Sequence, residues 1–324
     1  MRVIFMGTPE EVISPLKRLI ELSDKKVIDL VAIVTQAAKP AGRKRVLTDP
    51  PVAKFGKDQK LKVLQPEKVS SRESLDELKS LKPDLVVTAA YGQILSQDFL
   101  DMPKRGTINI HPSMLPKYRG ATPVQSTLFH GDTETGVSIL FTVKALDAGN
   151  IILQKPFPLN GDELGQDLLF SCFEASADML EECLTLLADS DFSGTPQDST
   201  QITHCTKFKK DDGLVDWTQP TRDIYNRFRA FYPWPGTYTF FESKRIVIDS
   251  AFVVKEAEHG SFDRSMSSGQ FCFSKKLKAM VVATADGYLG IKTLKPEGTK
   301  SMEAAAFINK LKSQGKDKGV FGES

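Results

Sequence analysis

The segment that decides the fold is R-V-I-F-M-G-T-P-E-E-V-I-S-P-L-K-R-L-I-E-L, residues 2–22. The apolar run at residues 3–6 predicts a buried strand, and Gly7-Thr8-Pro9 predicts a turn after it. A helix is then predicted over residues 10–22, because apolar side chains recur at helical spacing at Val12, Ile13, Leu16, Leu19 and Ile20. A strand, a turn and a helix in this order are typical of a parallel sheet.

The same alternation continues through the first half of the chain. Strands are predicted at residues 27–35, 61–64, 85–89 and 106–110, with a helix at 73–81. We therefore expect an α/β fold with a Rossmann-like, mostly parallel sheet in the N-terminal domain. Ligands of such sheets bind at the carboxyl ends of the strands, so Gly7, Tyr91-Gly92 and Asn109 to His111 should open on one edge.

The second half of the chain has a different pattern. A β-hairpin-like pair at residues 137–143 and 151–158 brackets Asp147, and a long amphipathic helix is predicted at 164–187. Short strands with turns begin after residue 236, which favours a small barrel. We therefore predict a catalytic domain at 1–189, a polar linker at 190–206, and a smaller domain at 207–324.

Charge is unevenly distributed over the 324 residues. Residues 1–206 hold 23 Lys and Arg against 27 Asp and Glu, whereas residues 207–324 hold 20 against 14. The net charges of −4 and +6 are compatible with a polyanionic partner for the second half, although a solvated basic surface is the simpler interpretation.

Cysteine spacing and the N-terminal sequence bear on cellular location. The four cysteines show no CxxC spacing, so we expect reduced thiols and no metal site. The first apolar run is too short for a signal peptide, and no later run reaches the length of a membrane span. These observations predict a soluble cytoplasmic protein without membrane contact, and we expect a monomer because no exposed apolar stripe is evident.

The candidate catalytic residues are Asn109, His111 and Asp147. On an extended segment the side chains of Asn109 and His111 project to the same side, and Pro112 keeps His111 out of helical geometry. An amide, an imidazole and a carboxylate together can hold a carbonyl oxygen and move protons, as attack on a carbonyl-level carbon requires. The simpler alternatives are a structural histidine at a strand end and an aspartate in a turn, and for Asp147 the residues alone favour the turn.

These residues and several other motifs resemble the folate-dependent formyltransferases. Besides T-I-N-I-H-P at residues 107–112, the matching motifs are Met6-Gly7-Thr8-Pro9 and the segments at 38–45, 90–95 and 229–236. The resemblance implies that Asn109, His111 and Asp147 transfer a formyl group from 10-formyltetrahydrofolate to an amine, without a metal. It also implies that the smaller domain is an OB-like β-barrel.

The resemblance also implies a folate site formed by two segments. These segments comprise Tyr91, Gly92, Gln93, Ile94 and Leu95, and Ser113, Met114, Leu115 and Pro116. Core packing and turn formation are the alternative roles, particularly for Ile94 and Leu115. Many relatives have Leu and Trp where this chain has Met114 and Tyr118, and both substitutions keep size and apolar character.

The basic segments and the long second half favour the tRNA-directed branch of the family, with initiator methionyl-tRNA as the acceptor. The residues implied to contact tRNA are Lys39, Arg43, Lys44, Arg45, Lys117 and Arg119. We expect the loop at residues 39–45 to be mobile until a polyanion orders it, although such a run is usually only solvated surface. Many relatives have Asp-Arg where this chain has Ala38-Lys39, which affects the geometry of this loop. Arg222, Arg227 and Arg229, with Lys244 and Arg245, could extend a phosphate track in the second domain.

Three other functions compete with this interpretation. A nicotinamide dehydrogenase is disfavoured because the first turn lacks G-x-G-x-x-G. A non-catalytic RNA-binding protein would need no Asn109 and His111 pair. A formyltransferase for a small amine, such as a phosphoribosyl glycinamide or an amino sugar, keeps the chemistry but leaves the second domain and the basic loop unexplained.

Overall fold

The computed structural model describes residues 1–42, 45–189, 191–205, 207–263, 265–316 and 318–322. Its contacts divide the chain into two units. The first unit comprises Met1–Pro123, Glu134–Pro158 and Asp167–Thr206, and the second comprises Val124–Thr133, Leu159–Gln166 and Lys207–Ser324. The second unit is thus built from three separate stretches of sequence.

The first unit is organised around a seven-stranded sheet. The strands of this unit, of which β3 and β4 lie outside the large sheet, are in chain order β1 (Arg2–Gly7), β2 (Asp29–Val34), β3 (Lys39–Ala41), β4 (Val46–Thr48), β5 (Val63–Leu64), β6 (Leu85–Ala89), β7 (Thr107–His111), β8 (Glu134–Phe141) and β9 (Ile151–Pro158). The sheet order is β5-β2-β1-β6-β7-β8-β9, in which the first five strands are parallel and β8 runs antiparallel to both of its neighbours, β7 and β9. This arrangement confirms the predicted mostly parallel sheet.

Helices account for the continuous apolar character of the central strands. The helices that begin in the first 170 residues are α1 (Ile13–Asp24), α2 (Pro51–Asp58), α3 (Arg72–Ser80), α4 (Gln97–Leu100), α5 (Pro123–His130) and α6 (Gly165–Leu186). In β1, Phe5 joins a core with residues of α1 and α6, whereas Ile4 joins a second core with residues of α3 and α4. Both faces of the strand are therefore buried, as expected for parallel sheets.

The basic segment predicted as a loop forms a β-hairpin. Strands β3 and β4 pair in a two-stranded antiparallel sheet of their own, with Lys39 opposite Thr48 and Ala41 opposite Val46. Gly42, which follows β3, and Arg45, which precedes β4, have φ of +69° and +48°. Backbone pairing thus orders the ends of a segment whose side chains show no alternating pattern.

The second unit is an antiparallel β structure curled into a half-barrel. Its elements are α7 (Thr221–Phe231), β10 (Thr237–Phe241), β11 (Lys244–Val253), α8 (Glu256–His259), β12 (Gln270–Ser274), β13 (Ala279–Ala283), β14 (Tyr288–Pro296), β15 (Met302–Glu303), α9 (Ala304–Ser313) and β16 (Gly319–Val320). The sheet order is β10-β11-β14-β13-β12-β16, and Gly322 N–H donates to Phe240 O across the gap at 3.0 Å. The predicted smaller β domain is confirmed.

Among the residues that the structure describes, no helix combines the length and apolar character that crossing a bilayer requires.

Candidate active site

Strand β7 carries two of the three predicted catalytic side chains. Ile108 and Ile110 point into the core and are 0% and 1% exposed, so the alternating Asn109 and His111 share the opposite side. The strand is held in place by parallel pairing to β6 and antiparallel pairing to β8, where His111 lies opposite Ser138. The sequence thus delivers an amide and an imidazole to the carboxyl end of β7.

Asp147 reaches the same place from the turn between β8 and β9. Its backbone lies in the left-handed region, with φ of +50°, which costs a non-glycine residue of order 1 kcal/mol. The turn also needs glycine two residues later, because a Cβ at Gly149 would lie 1.8 Å from Phe141 O. The position of Asp147 is therefore set by the backbone geometry of this turn.

The three side chains converge. Asp147 Oδ2 lies 3.7 Å from His111 Nδ1, and Asp147 Oδ1 lies 3.5 Å from Asn109 Nδ2. The Gly120 N–H donates to Asp147 Oδ2 at 2.8 Å. The His111 and Asp147 side chains are 4% and 9% exposed. Such a cluster is largely shielded from water, and its hydrogen bonds and charges act more strongly for that reason.

The hydrogen bonds of His111 define which nitrogen faces the site. His111 Nε2 lies 2.9 Å from Tyr118 O, and a carbonyl oxygen can only accept, so Nε2 carries a proton. Nδ1 is the nitrogen that faces Asp147. Burial lowers the pKa of His111 below 6.5, while the charge of Asp147 and the hydrogen bond to Tyr118 oppose that shift. The neutral imidazole therefore predominates at neutral pH, with the Nδ1 lone pair turned toward Asp147.

The two segments predicted to flank folate leave β6 and β7 at their carboxyl ends, on the edge where Asn109 and His111 lie. The Ile94 side chain is 93% exposed, which excludes a core role for it, whereas Leu115 is 3% exposed. Gln93 is bonded to a neighbouring loop, because its Oε1 accepts from Val69 N–H at 2.9 Å. The Ser138 hydroxyl supports the other segment, donating to Ser113 O at 2.6 Å and accepting from Leu115 N–H at 3.1 Å.

The predicted tRNA-contact residues differ in their surroundings. Lys39, Arg45 and Lys117 are exposed, while Arg43 and Lys44 lie outside the described residues. The Arg119 guanidinium is held within the first unit, because its Nε and Nη2 donate to Gln197 Oε1 at 3.0 and 2.8 Å.

Arg229, one of the residues suggested to bind phosphates, is buried. Arg229 is 1% exposed and donates to Asn226 Oδ1 at 2.7 Å. A guanidinium buried in this way cannot meet a phosphate from solvent, so the interpretation of Arg229 as a phosphate ligand was wrong. Its helix, α7, turns this residue inward.

Sequence reasoning missed two residues that support the cluster. Thr88 on β6 contacts the Asn109 amide, and Gln197, within the predicted linker, contacts the Asp147 turn. A threonine in a buried strand and a glutamine in a polar stretch carry no signal by themselves. Within the described part of the chain, no group of three or more His, Cys, Asp or Glu side chains is placed to hold a metal ion.

Comparison with known families agrees with this fold. A family model described as formyl transferase matches residues 1–176, and a model described as formyl transferase, C-terminal domain, matches residues 207–312. Fold and site together define a two-domain formyltransferase.

Two relatives that match almost the whole length of this chain show which formyltransferases it is similar to in sequence. Methionyl-tRNA formyltransferase of Geobacter sulfurreducens is 38% identical over 309 residues, covering 95% of this chain and 93% of the relative. The enzyme of the same name from Staphylococcus aureus is 37% identical, covering 95% of this chain and 96% of the relative. The chain belongs to the methionyl-tRNA formyltransferase family.

Solved structures share the fold at low sequence identity. HypX from Aquifex aeolicus, solved in complex with tetrahydrofolic acid, superposes with a TM-score of 0.64 at 17% identity, over 96% of this chain and 48% of HypX. A sugar 3N-formyl transferase superposes with a TM-score of 0.64 at 16% identity, over 93% of this chain and 99% of that protein. At these identities the similarity concerns the fold.

Proposed function

We propose that this protein transfers the formyl group of 10-formyltetrahydrofolate to the free amino group of initiator methionyl-tRNA, giving the N-formylmethionyl-tRNA used in translation initiation. The observation that carries the proposal is the convergence of Asn109, His111 and Asp147 in a chain of this family. The protein acts in the cytoplasm as a monomer, with the tRNA and the folate as its partners.

Asn109 stabilises the oxyanion that forms when the amine attacks the formyl carbon. Its amide nitrogen is 3.5 Å from Asp147 Oδ1, a long and weak contact, so an N–H can turn to the developing negative charge. One such donor contributes about 10²- to 10³-fold to kcat in other acyl-transfer sites. The second N–H keeps the amide oriented toward the carboxylate.

His111 moves the proton. The attacking nitrogen becomes positively charged when the new C–N bond forms, and the neutral Nδ1 of His111 accepts its proton. The resulting imidazolium is stabilised by Asp147 and donates to the oxyanion until Nδ1 passes the proton to the folate nitrogen, whose C–N bond then breaks. The products are the formamide and tetrahydrofolate, and His111 is again neutral.

The edge beside this cluster provides the folate site. Tyr91, Gly92, Gln93, Ile94 and Leu95 line one side, and Ser113, Met114, Leu115 and Pro116 line the other. The exposed side chain of Ile94 supports the proposal, because it offers an apolar wall to a flat pterin. Ser138 supports it too, since its hydrogen bonds fix the shape of the second segment.

The tRNA lies against the β3–β4 hairpin and the loop after β7. Lys39, Arg43, Lys44, Arg45, Lys117 and Arg119 provide the positive charge that phosphates attract. Supporting this placement, Val46 and Leu47 on the same hairpin are 60% and 69% exposed, so the hairpin also offers apolar surface to unpaired bases.

Formyl transfer to charged initiator tRNA tests the proposal directly. We expect Asn109→Ala, His111→Ala and Asp147→Ala each to lower kcat by about 10²-fold or more, whereas Asn160→Ala, at an exposed asparagine, leaves it unchanged. Undiminished turnover in all three variants would refute the mechanism. Faster formylation of a phosphoribosyl glycinamide or an amino sugar than of methionyl-tRNA would refute the acceptor.

A salt titration tests the hairpin. Replacing Lys39 and Arg45 together by alanine should raise the KM for tRNA and reduce the slope of log affinity against log salt by about two, one for each phosphate that is no longer neutralised. The matched control is the double replacement of Lys25 and Lys26, two exposed lysines that precede β2 at the opposite edge of the sheet. An equal effect of both pairs would assign the binding to general charge instead of the hairpin.

A further inference from the structure

The segment predicted as a linker is bonded to the loops that carry the candidate active site. Arg119 N–H donates to Thr203 O at 2.9 Å, and Cys205 N–H donates to Arg119 O at 2.8 Å. On the other side, Thr195 and Ile151 exchange two backbone hydrogen bonds at 2.7 and 2.8 Å. The segment from 195 to 205 therefore joins the loop after β7 to the first residue of β9.

Gln197 lies between these two attachments, and its side-chain amide is fully used. Oε1 accepts from Arg119 Nε and Nη2 at 3.0 and 2.8 Å. Nε2 donates to Asp147 O and Gly149 O, both at 2.8 Å. Since a guanidinium can only donate and a carbonyl can only accept, these partners fix which way the amide points.

These four hydrogen bonds act on the turn that presents the catalytic carboxylate. Asp147 is held in a left-handed conformation, which persists only where surrounding contacts stabilise it. Its carboxylate is bound by Gly120 N–H, and its carbonyl is bound through Gln197 to Arg119, the residue before Gly120. Two adjacent residues of one loop thus hold the main chain and the side chain of Asp147.

We propose that Gln197 is a positioning residue, whose amide couples the Arg119 loop to the Asp147 turn and so keeps the Asp147 carboxylate beside His111 and Asn109. The expected effect of Gln197 on formyl transfer rests on the proposed function. Its expected effect on the Asp147 turn rests on the hydrogen bonds alone. In this role Arg119 serves the site as a donor to Gln197 Oε1.

Gln197→Glu separates this role from general stability. The carboxylate still accepts from Arg119 but places a negatively charged oxygen against two carbonyl oxygens, so the Asp147 turn is released. In the formyl-transfer assay kcat should fall about 10- to 100-fold, as expected for a displaced catalytic group, while the KM values for methionyl-tRNA and 10-formyltetrahydrofolate change less than about threefold. Gln197→Ala, which adds no charge, should give the same division between kcat and KM.

Hydrogen exchange of the Gly120 N–H, followed by NMR, provides a measurement that needs no activity. This amide donates to Asp147 Oδ2, so release of the turn should speed its exchange about tenfold or more in both Gln197 variants. The matched control is Gln201→Glu, at a glutamine of the same segment whose amide bonds the nearby Asp198. We expect it to change neither kcat nor the exchange rate.

Each outcome decides the inference. Unchanged exchange at Gly120 in both Gln197 variants, a kcat within about threefold of the wild-type value, or equal losses in Gln201→Glu would overturn it. If the wild-type protein formylates another acceptor, or none, the proposed function fails, and the exchange rates still show whether Gln197 holds the Asp147 turn.

Discussion

The Thr88 hydroxyl lies 2.9 Å from Asn109 Oδ1, across the paired strands β6 and β7. The hydroxyl is equally close to Ile108 O, and its single proton has two acceptors. Because Oδ1 of the amide faces this hydroxyl, Nδ2 faces the Asp147 carboxylate and the open edge of the sheet. Thr88 and Asp147 thus contact opposite ends of the Asn109 amide.

Replacing Thr88 by valine should leave the Asn109 amide free to turn over. We expect kcat to fall about tenfold, because the oxyanion donor points correctly only part of the time. The matched control is Thr107→Val, since the Thr107 hydroxyl is buried on β7 without a hydrogen-bond partner among the described residues. Equal kcat values for the two variants would contradict the orienting role of Thr88.

The protonation of His111 can be followed by NMR titration of its imidazole. Burial lowers its pKa, so we expect a midpoint below 6.5, and Asp147→Asn should lower the midpoint further by removing a charge that favours the imidazolium. In the unfolded chain the His111 imidazole has a pKa near 6.5. The stability that the neutral His111 contributes is therefore complete above that pH and is lost as the pH falls toward the folded pKa. A midpoint above 6.5 would contradict this sign.

Reaction with iodoacetamide should distinguish the four cysteines. Burial raises the pKa of both Cys172 and Cys183, on α6, to about 12, so neither forms the reactive thiolate at pH 8. Mass spectrometry of the native protein should find labels only on Cys205 and, more slowly, on Cys272, which are partly exposed; burial also raises the pKa of Cys272. All four should react in urea. Rapid labelling of Cys172 in the native state would show that α6 packs less tightly than the burial of this thiol indicates.

Gly149→Ala should damage activity through the backbone. Its new methyl group would meet Phe141 O at 1.8 Å, which forces the Asp147 turn away from β8. We expect kcat to fall about 10- to 100-fold through this displacement. Gly260→Ala provides the control, because no atom of the described residues beyond its immediate chain neighbourhood lies within 4 Å of a Cβ there. Wild-type kcat in Gly149→Ala would show that the turn tolerates movement.

The sequence predicts the strands and helices whose residue types are determined by burial. The run at residues 85–89 matches β6, and the helix predicted at 164–187 matches α6, because continuous apolar runs and helical spacing are strong signals. The β3–β4 hairpin is not predicted in this way, since its strands are exposed and do not alternate between apolar and polar residues.

The supporting contacts of the site are harder to predict for a different reason. The segment from 195 to 205 is held mainly by backbone hydrogen bonds, which leave no pattern in side-chain types. Asp147 has the sequence context of an ordinary turn residue, and its positive φ shows that it is one. Only the resemblance to a family, and then the distances to His111 and Asn109, distinguish it from other turn aspartates.

The interleaved sequence of the second unit limits how the chain can be divided. Phe129 lies in the stretch between Val124 and Thr133. Its ring centroid is 5.7 Å from that of Phe231, on which it stacks, and 5.6 Å from that of Phe208. A truncation after residue 206 would remove both aromatic neighbours and leave Phe129 without them. Expressed on its own, such a fragment would be prone to aggregate, so deletion experiments on this enzyme should keep the chain whole and use point substitutions.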